Sequence, residues 1–187
     1  MLKRFSVPAL IFGLGLATVP SVYAETLNAP TDPSSDAAAP EADPNAAQVF
    51  DLWTVRCAEQ GRCIAATSLA NKDANGKAHK IVELRISYKD GKRDMVIHIQ
   101  PGVLINPGIE ITVGDQVAKL EYTLCNSAVC VAGAPMTDAM YDAIKSSDVL
   151  KAAVVVAPNP KNKQPQKIEF TFKLDGSGKA LKAIEDQ

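Results

Sequence analysis

A period of two in the hydrophobic pattern of residues 49–187 most constrains how this chain can fold. Ile168, Phe170 and Phe172, for example, alternate with polar residues. In an extended strand successive side chains point to opposite faces, so this alternation predicts a strand with one apolar face and one wet face.

Nine runs of this kind predict an all-β fold. They cover 49–57, 62–69, 80–88, 95–100, 109–113, 117–124, 129–133, 149–157 and 168–174. The connections are mostly too short for the crossovers of a parallel sheet, which favours an antiparallel β-sandwich. Asp90-Gly91, between two alternating runs, predicts a tight hairpin.

Two short helices interrupt the strand pattern. Residues 137–145 begin with Thr137, a favourable N-cap, and place Met140, Ala143 and Ile144 on one side. Residues 177–185 carry Leu181 and Ile184 three positions apart, enough to dock a turn or two against the sheet.

Four cysteines, Cys57, Cys63, Cys125 and Cys130, are the most informative chemistry of the chain. Residues 1–24 have the pattern of a secretory signal peptide, and an even number of cysteines in an exported chain predicts two disulfides. Each of the pairs 57–63 and 125–130 flanks a tight turn, and residues opposite one another across a hairpin lie within disulfide range. We therefore prefer these two local pairings among the three possible connectivities.

Two considerations keep the connectivity open. A bridge from Cys57 to Cys125 closes a longer loop and stabilises by about 4 kcal/mol, against about 2 kcal/mol for a local one. A single bulge would also change which face each cysteine shares with its neighbours. A zinc site is disfavoured, because the spacing lacks Cys-x2-Cys and an oxidising compartment disfavours free thiolates.

Residues 1–24 have the pattern of a secretory signal peptide. Lys3 and Arg4 precede an apolar run, and Val22 and Ala24 offer a small-residue cleavage site. We expect cleavage near Ala24, no transmembrane segment in the mature chain, and a location in the periplasm, at the cell surface or in the medium.

The next segment, 25–48, predicts a disordered acidic tether rich in alanine and proline. It has five acidic residues, no basic ones and a single large aliphatic side chain, Leu27, too little to offset the entropy of ordering. Residues 49–187 remain as the folded domain, with 18 basic and 16 acidic residues. The whole chain of 187 residues has a net charge of −1, which argues against nucleic acid as a partner.

No residue pattern points to catalysis, a cofactor or a metal ion. The chain has two histidines, His79 and His98, and neither follows a catalytic motif. Asp138 and Asp142 are best explained as a solvated helix face. The basic loop with Lys161, Lys163 and Lys167 is more simply a solvated hairpin than a contact for an anionic surface.

The chain resembles the bacterial invasion-associated locus B family. The resemblance is carried by Trp53 to Cys57 with Cys63, by Pro101 to Gly108, by Leu120 to Cys125 with Cys130, and by the closing strand and helix around 170–181. Ser177 stands where the family usually has an aromatic residue. The resemblance covers 49–187.

The resemblance implies an immunoglobulin-like β-sandwich, exported by alphaproteobacteria and without known enzymatic activity. It implies a role in invasion of host cells such as erythrocytes. The family does not supply the mechanism, and we expect the domain to act by binding a host-cell or envelope protein through its edge strands and loops. The alternative function is a periplasmic assembly or quality-control factor that binds other envelope proteins by strand addition.

Overall fold

The computed structural model describes residues 46–58 and 61–186. The predicted signal peptide, 1–24, and nearly all of the predicted tether, 25–48, lie outside these residues. The described part contains ten strands and two helices. These are β1 (Gln48–Phe50), β2 (Trp53–Cys57), β3 (Cys63–Lys72), β4 (Ala78–Lys89), β5 (Lys92–Ile99), β6 (Ile109–Val113), β7 (Gln116–Cys125), β8 (Cys130–Pro135), α1 (Asp138–Ser146), β9 (Val149–Val156), β10 (Gln166–Lys173) and α2 (Ser177–Glu185).

All ten strands belong to one antiparallel sheet that curls upon itself. Its order is β1-β2-β3-β4-β5-β8-β7-β6-β9-β10. Strand β7 joins the two halves, because its first part, to Leu120, pairs with β6 and its second part, from Glu121, pairs with β8. The curl also brings β10 close to β3.

The prediction of an all-β fold with two short helices is confirmed, whereas an immunoglobulin-like sandwich is not. The immunoglobulin fold is built of two separate sheets that pack face to face. Here β7 continues the hydrogen bonding from one half into the other. Hydrophobic alternation identifies the face of each strand but says nothing of its neighbours, so it does not distinguish these arrangements.

The predicted strand 49–57 is two strands with a tight turn between them. Phe50 pairs with Trp53, and Asp51 between them adopts a positive φ of 52°. The hairpin predicted at Asp90-Gly91 is confirmed, since both residues have positive φ values of 52° and 76°. Positive φ at both central residues defines the turn type that matches the twist of a two-residue hairpin.

The core fills the space that the curled sheet encloses. One half of the sheet contributes Trp53, Leu84 and Ile97, and the other contributes Leu150 and Phe172, all of them almost fully buried. Each such side chain contributes about 1.5–3 kcal/mol by leaving water.

Both helices lie where the sequence predicts them. Helix α1 begins after Thr137, whose hydroxyl accepts a hydrogen bond from the Met140 backbone N–H at 3.2 Å, an N-cap. Helix α2 packs its buried Leu181 and Ile184 against the core. The Ser177 hydroxyl donates to the Ile144 carbonyl oxygen at 2.9 Å and ties the two helices together.

Both disulfides in the structure are local. Cys57 is joined to Cys63 and Cys125 to Cys130, and in each case the two cysteines are paired residues of neighbouring strands with Cα atoms 4.0 Å apart. A register shift between Tyr122 and Leu124 changes the alternation of β7 just before its cysteine. The strict alternation of β7 therefore does not predict which face of the sheet Cys125 occupies.

Helices long and apolar enough to cross a membrane are absent from residues 46–58 and 61–186.

Candidate functional site

The residues that the sequence singled out for chemistry do not meet in one place. His79, within β4, lies 3.0 Å from the Asp73 carboxylate in the neighbouring turn, and His98 lies on β5. The hydrogen bond from His79 is the largest cause of the lowered pKa of Asp73. No three His, Cys, Asp or Glu side chains of the described segments are arranged to hold a metal ion.

Two further predicted features are ordinary surface contacts. Asp138, on the predicted solvated helix face, is 90% exposed and accepts a hydrogen bond from Arg93 at 2.7 Å. Lys167, predicted in the basic loop, lies on β10 and pairs with Glu110 at 3.0 Å, while Lys161 and Lys163 are exposed.

A cleft on the outer face of the sheet is the best candidate for a binding site. The outer face is the side of strands β2–β5 that points away from the core. The cleft has a volume of about 470 Å³. We call it the outer cleft. It is lined by Leu52, Thr54, Arg56, Ile64, Ala66, Thr67, Ser68, Lys80, Glu83 and Arg85.

Strand register explains why a depression forms there. Ala66 on β3 lies between Thr54 of β2 and Arg85 of β4, and Ser68 lies beside Glu83. Ala66 and Ser68 are small, so the middle strand forms a low floor between taller side chains. The same period of two that buries alternate residues of β3 thus places these two on the floor of the cleft.

Glu83 is the electrostatic centre of the outer cleft. It is only 8% exposed, and its two oxygens accept hydrogen bonds from two different cations. Lys80 Nζ lies 2.5 Å from Oε1, and Arg85 donates to Oε2 through Nε at 2.8 Å, with Nη2 at 2.6 Å. A buried carboxylate is stable only when paired in this way.

The pKa values of this cluster follow from its contacts. Burial alone raises the pKa of Glu83, but the hydrogen bonds and charges of Lys80 and Arg85 outweigh it and hold the pKa below its usual value. His98 is directly opposite Glu83 on β5, and burial together with the charge of Arg85 lowers its pKa below 6.5. At neutral pH the cluster therefore contains an ionised carboxylate and a neutral imidazole.

Arg56 adds a third cation at the margin of the outer cleft. Its side chain is exposed and makes no ion pair with any residue that the structure describes. With Lys80 and Arg85 it gives the cleft three positive groups against the one carboxylate of Glu83. The cleft is therefore locally positive on a chain that is almost neutral overall.

A smaller apolar pocket adjoins the outer cleft where β10 approaches β3. It has a volume of about 270 Å³ and shares Leu52, Thr67 and Ser68 with the outer cleft. The residues that it adds are Leu69, Thr171, Phe172 and Lys173. Leu52 is half exposed, so this apolar end is open to solvent. The combined surface can bind a polar ligand with negative charge at one end and an apolar group at the other.

The second candidate surface is the outer edge of β10. This strand pairs with β9 on one side and, within the described residues, has no strand hydrogen-bonded to its other side. Every second residue of an edge strand points its N–H and C=O groups away from the sheet, where another strand can bind them. Ile168 is 39% exposed on this strand.

Comparison with known proteins settles the family. Residues 53–185 match the family of invasion associated locus B (IalB) proteins. The chain belongs to the IalB family. The match runs from the start of β2 to the end of α2, so nearly the whole described fold is the IalB domain.

A solved relative has the same fold. The structure is similar to the crystal structure of invasion associated protein B from Bartonella henselae, with a TM-score of 0.63 and 18% sequence identity, over 75% of this chain and 96% of that chain. An IsdX2-NEAT5 mutant in complex with heme is similar at a TM-score of only 0.34 and 14% identity, over 57% of this chain and 90% of that chain, too low to support an argument. No curated protein matches this sequence.

Sequence reasoning missed the outer cleft of this IalB domain. One signal was present, because Glu83 and Arg85 are two residues apart and therefore share a face of β4. Arg56 lines the same cleft only because β2, β3 and β4 pair in this register. The sequence of a short segment does not predict that register.

Proposed function

We propose that this protein is an exported, non-enzymatic binding protein that promotes invasion of host cells, erythrocytes among them, by contacting a protein partner at the cell envelope. The observation that carries the proposal is the IalB family match over residues 53–185. The solved relative from Bartonella henselae is itself an invasion associated protein.

The sequence supports export of the domain. Residues 1–24 have the pattern of a signal peptide that is cleaved near Ala24, and the two disulfides are typical of an oxidising compartment. In this proposal residues 25–48 are the tether and 49–187 the folded domain, located in the periplasm, at the cell surface or outside the cell.

The surface supports a binding role. The outer cleft and the edge of β10 offer two places where another molecule can make polar and backbone contacts. The Glu83 carboxylate accepts hydrogen bonds from Lys80 and Arg85, and these bonds hold the charged side chains of the cleft in fixed positions.

A deletion strain tests the proposed function. We expect it to enter host erythrocytes less often than the parent, and complementation with the intact gene to restore entry. The deletion strain and its parent are compared at equal growth. Normal entry by the deletion strain would refute the role in invasion.

The free edge of β10 favours a second candidate function. A periplasmic assembly or quality-control factor would use this edge to add a strand of a client envelope protein. Fractionation separates the two functions: exposure at the surface or in the medium supports host contact, and strict periplasmic retention supports the assembly role. Replacement of Ile168 by Lys at the edge would then reduce client crosslinking without unfolding the domain.

A further inference from the structure

We infer that the outer cleft binds an acidic peptide segment of the partner protein. The cleft presents Arg56, Lys80 and Arg85 against a single carboxylate, Glu83, and thus has an excess of positive charge. This inference gives the proposed function a partner chemistry and rests on it for its biological setting, but its test does not depend on invasion.

The two cations nearest Glu83 retain unused hydrogen-bond donors. Lys80 has three donors and uses one on Glu83, while Arg85 directs Nε and Nη2 to the same oxygen. Arg85 Nη1 has no hydrogen-bond partner among residues 46–58 and 61–186. Glu83 therefore holds both cations in place while leaving donors for a second carboxylate, so less conformational entropy is lost on binding.

Arg56 supplies the third point of attachment. On β3, Ile64 lies beside Arg56 and Ala66 lies beside Arg85, so the two arginines stand diagonally across this strand. An extended chain lying over this floor can present carboxylates to Arg85 and Lys80 on one side and to Arg56 on the other.

The apolar pocket beside the cleft favours a peptide over other anionic partners. It holds about 270 Å³ around Leu52, Leu69 and Phe172, room for one or two aliphatic side chains rather than a lipid tail. Aromatic side chains, on which the bases of a nucleic acid stack, are absent from the lining of the outer cleft among the described residues. An acidic segment with an adjacent aliphatic residue matches both parts of the surface.

Fluorescence anisotropy with a labelled peptide tests the inference on the intact protein. The probe is a peptide of about ten residues that contains glutamates and a terminal leucine, and its control has glutamine at every glutamate position. We expect the acidic peptide to bind and its affinity to fall with added salt, and the glutamine peptide not to bind.

Arginine substitutions localise the binding. Arg56→Gln removes the unpaired cation of the cleft, and we expect it to weaken binding of the acidic peptide about fivefold or more. Arg62→Gln is the matched control, because Arg62 is also exposed and does not line the outer cleft. Circular dichroism spectra of both variants should equal that of the parent.

Three outcomes would overturn the inference. They are equal weakening by Arg56→Gln and Arg62→Gln, equal binding of the glutamate and glutamine peptides, and tighter binding of a single-stranded oligonucleotide or anionic vesicles than of the acidic peptide. If Arg56→Gln loses peptide binding but the deletion strain invades normally, the two results separate. The proposed function is then refuted, and the inferred peptide site is still supported.

Discussion

Arg93 on β5 and Glu185 at the end of α2 form an ion pair that joins the sheet to this helix. Two nitrogens of Arg93, Nε and Nη2, donate to the same oxygen of Glu185 at 3.0 and 2.6 Å. The guanidinium also lies 4.1 Å from the centre of the Tyr141 ring on α1. One side chain of the sheet thus contacts both helices.

Replacement of Arg93 by Ala should destabilise the fold by about 1–3 kcal/mol. The substitution removes the hydrogen bonds to Glu185, a residue only 25% exposed, and the stacking on Tyr141. Urea unfolding followed by tryptophan fluorescence measures the loss. Arg62→Ala, at an exposed position, is the control and should change stability by less than about 0.5 kcal/mol. Equal effects of the two variants would contradict a special role for Arg93.

Glu83→Gln should flatten the acid dependence of stability. The pKa of Glu83 is lowered in the folded protein, so its carboxylate stabilises the fold above its unfolded pKa. That stabilisation is lost as the pH falls through the folded pKa. Urea unfolding at about pH 7, 5 and 3 should therefore show a smaller loss of stability in the variant than in the parent.

Glu121→Gln is the matched control for this pH experiment. Glu121 is exposed and makes no ion pair with any described residue. Its variant should keep the parent's acid dependence. A parallel shift of the whole Glu83→Gln curve, with an unchanged pH slope, would contradict the assigned role of the carboxylate.

Gly176→Ala should cost more stability than Gly91→Ala. Both glycines have positive φ, 85° and 76°, so both substitutions carry a similar backbone cost of about 1 kcal/mol. A Cβ on Gly176 would overlap the Phe50 carbonyl oxygen, whereas a Cβ on Gly91 would meet no atom within 4 Å. We expect an additional loss of about 2 kcal/mol or more at Gly176, measured by urea unfolding. Equal losses would mean that the contact between β1 and the start of α2 is not maintained in solution.

The local disulfide pairing is open to a direct test by non-reducing tryptic mapping. Cleavage after Arg56, Arg62 and Lys72 should give peptides 57–62 and 63–72 held together by a disulfide. Cys125 and Cys130 fall in one tryptic peptide, 120–145, which should be two hydrogens lighter than its reduced form and linked to nothing else. A covalent link between 57–62 and 120–145 would establish a long-range bridge instead.

Elements that depend on neighbouring residues were predictable from the sequence. The hairpin at Asp90-Gly91 and the cap at Thr137 need only local backbone conformation and one short hydrogen bond. The break at Asp51 was missed, because an aspartate with positive φ has no glycine to mark it.

Partners distant in the sequence were not predictable. Arg93 and Glu185 are 92 residues apart, and β5 pairs with β8 rather than with the next strand along the chain. Hydrophobic alternation identifies the buried face of each strand and leaves its neighbours undetermined. The outer cleft depends on those neighbours, so the residues that face it became apparent only with the register of β2, β3 and β4.

The pairing of β7 with β6 in one half of the sheet and with β8 in the other affects how the domain unfolds. Because β7 runs from one half into the other and the buried side chains of both halves form one core, separating the halves would expose the core of each. Amide protons on both sides of Leu120 should therefore exchange with solvent through the same event. The two halves are expected to unfold in one cooperative step, with no population in which half of the domain persists alone.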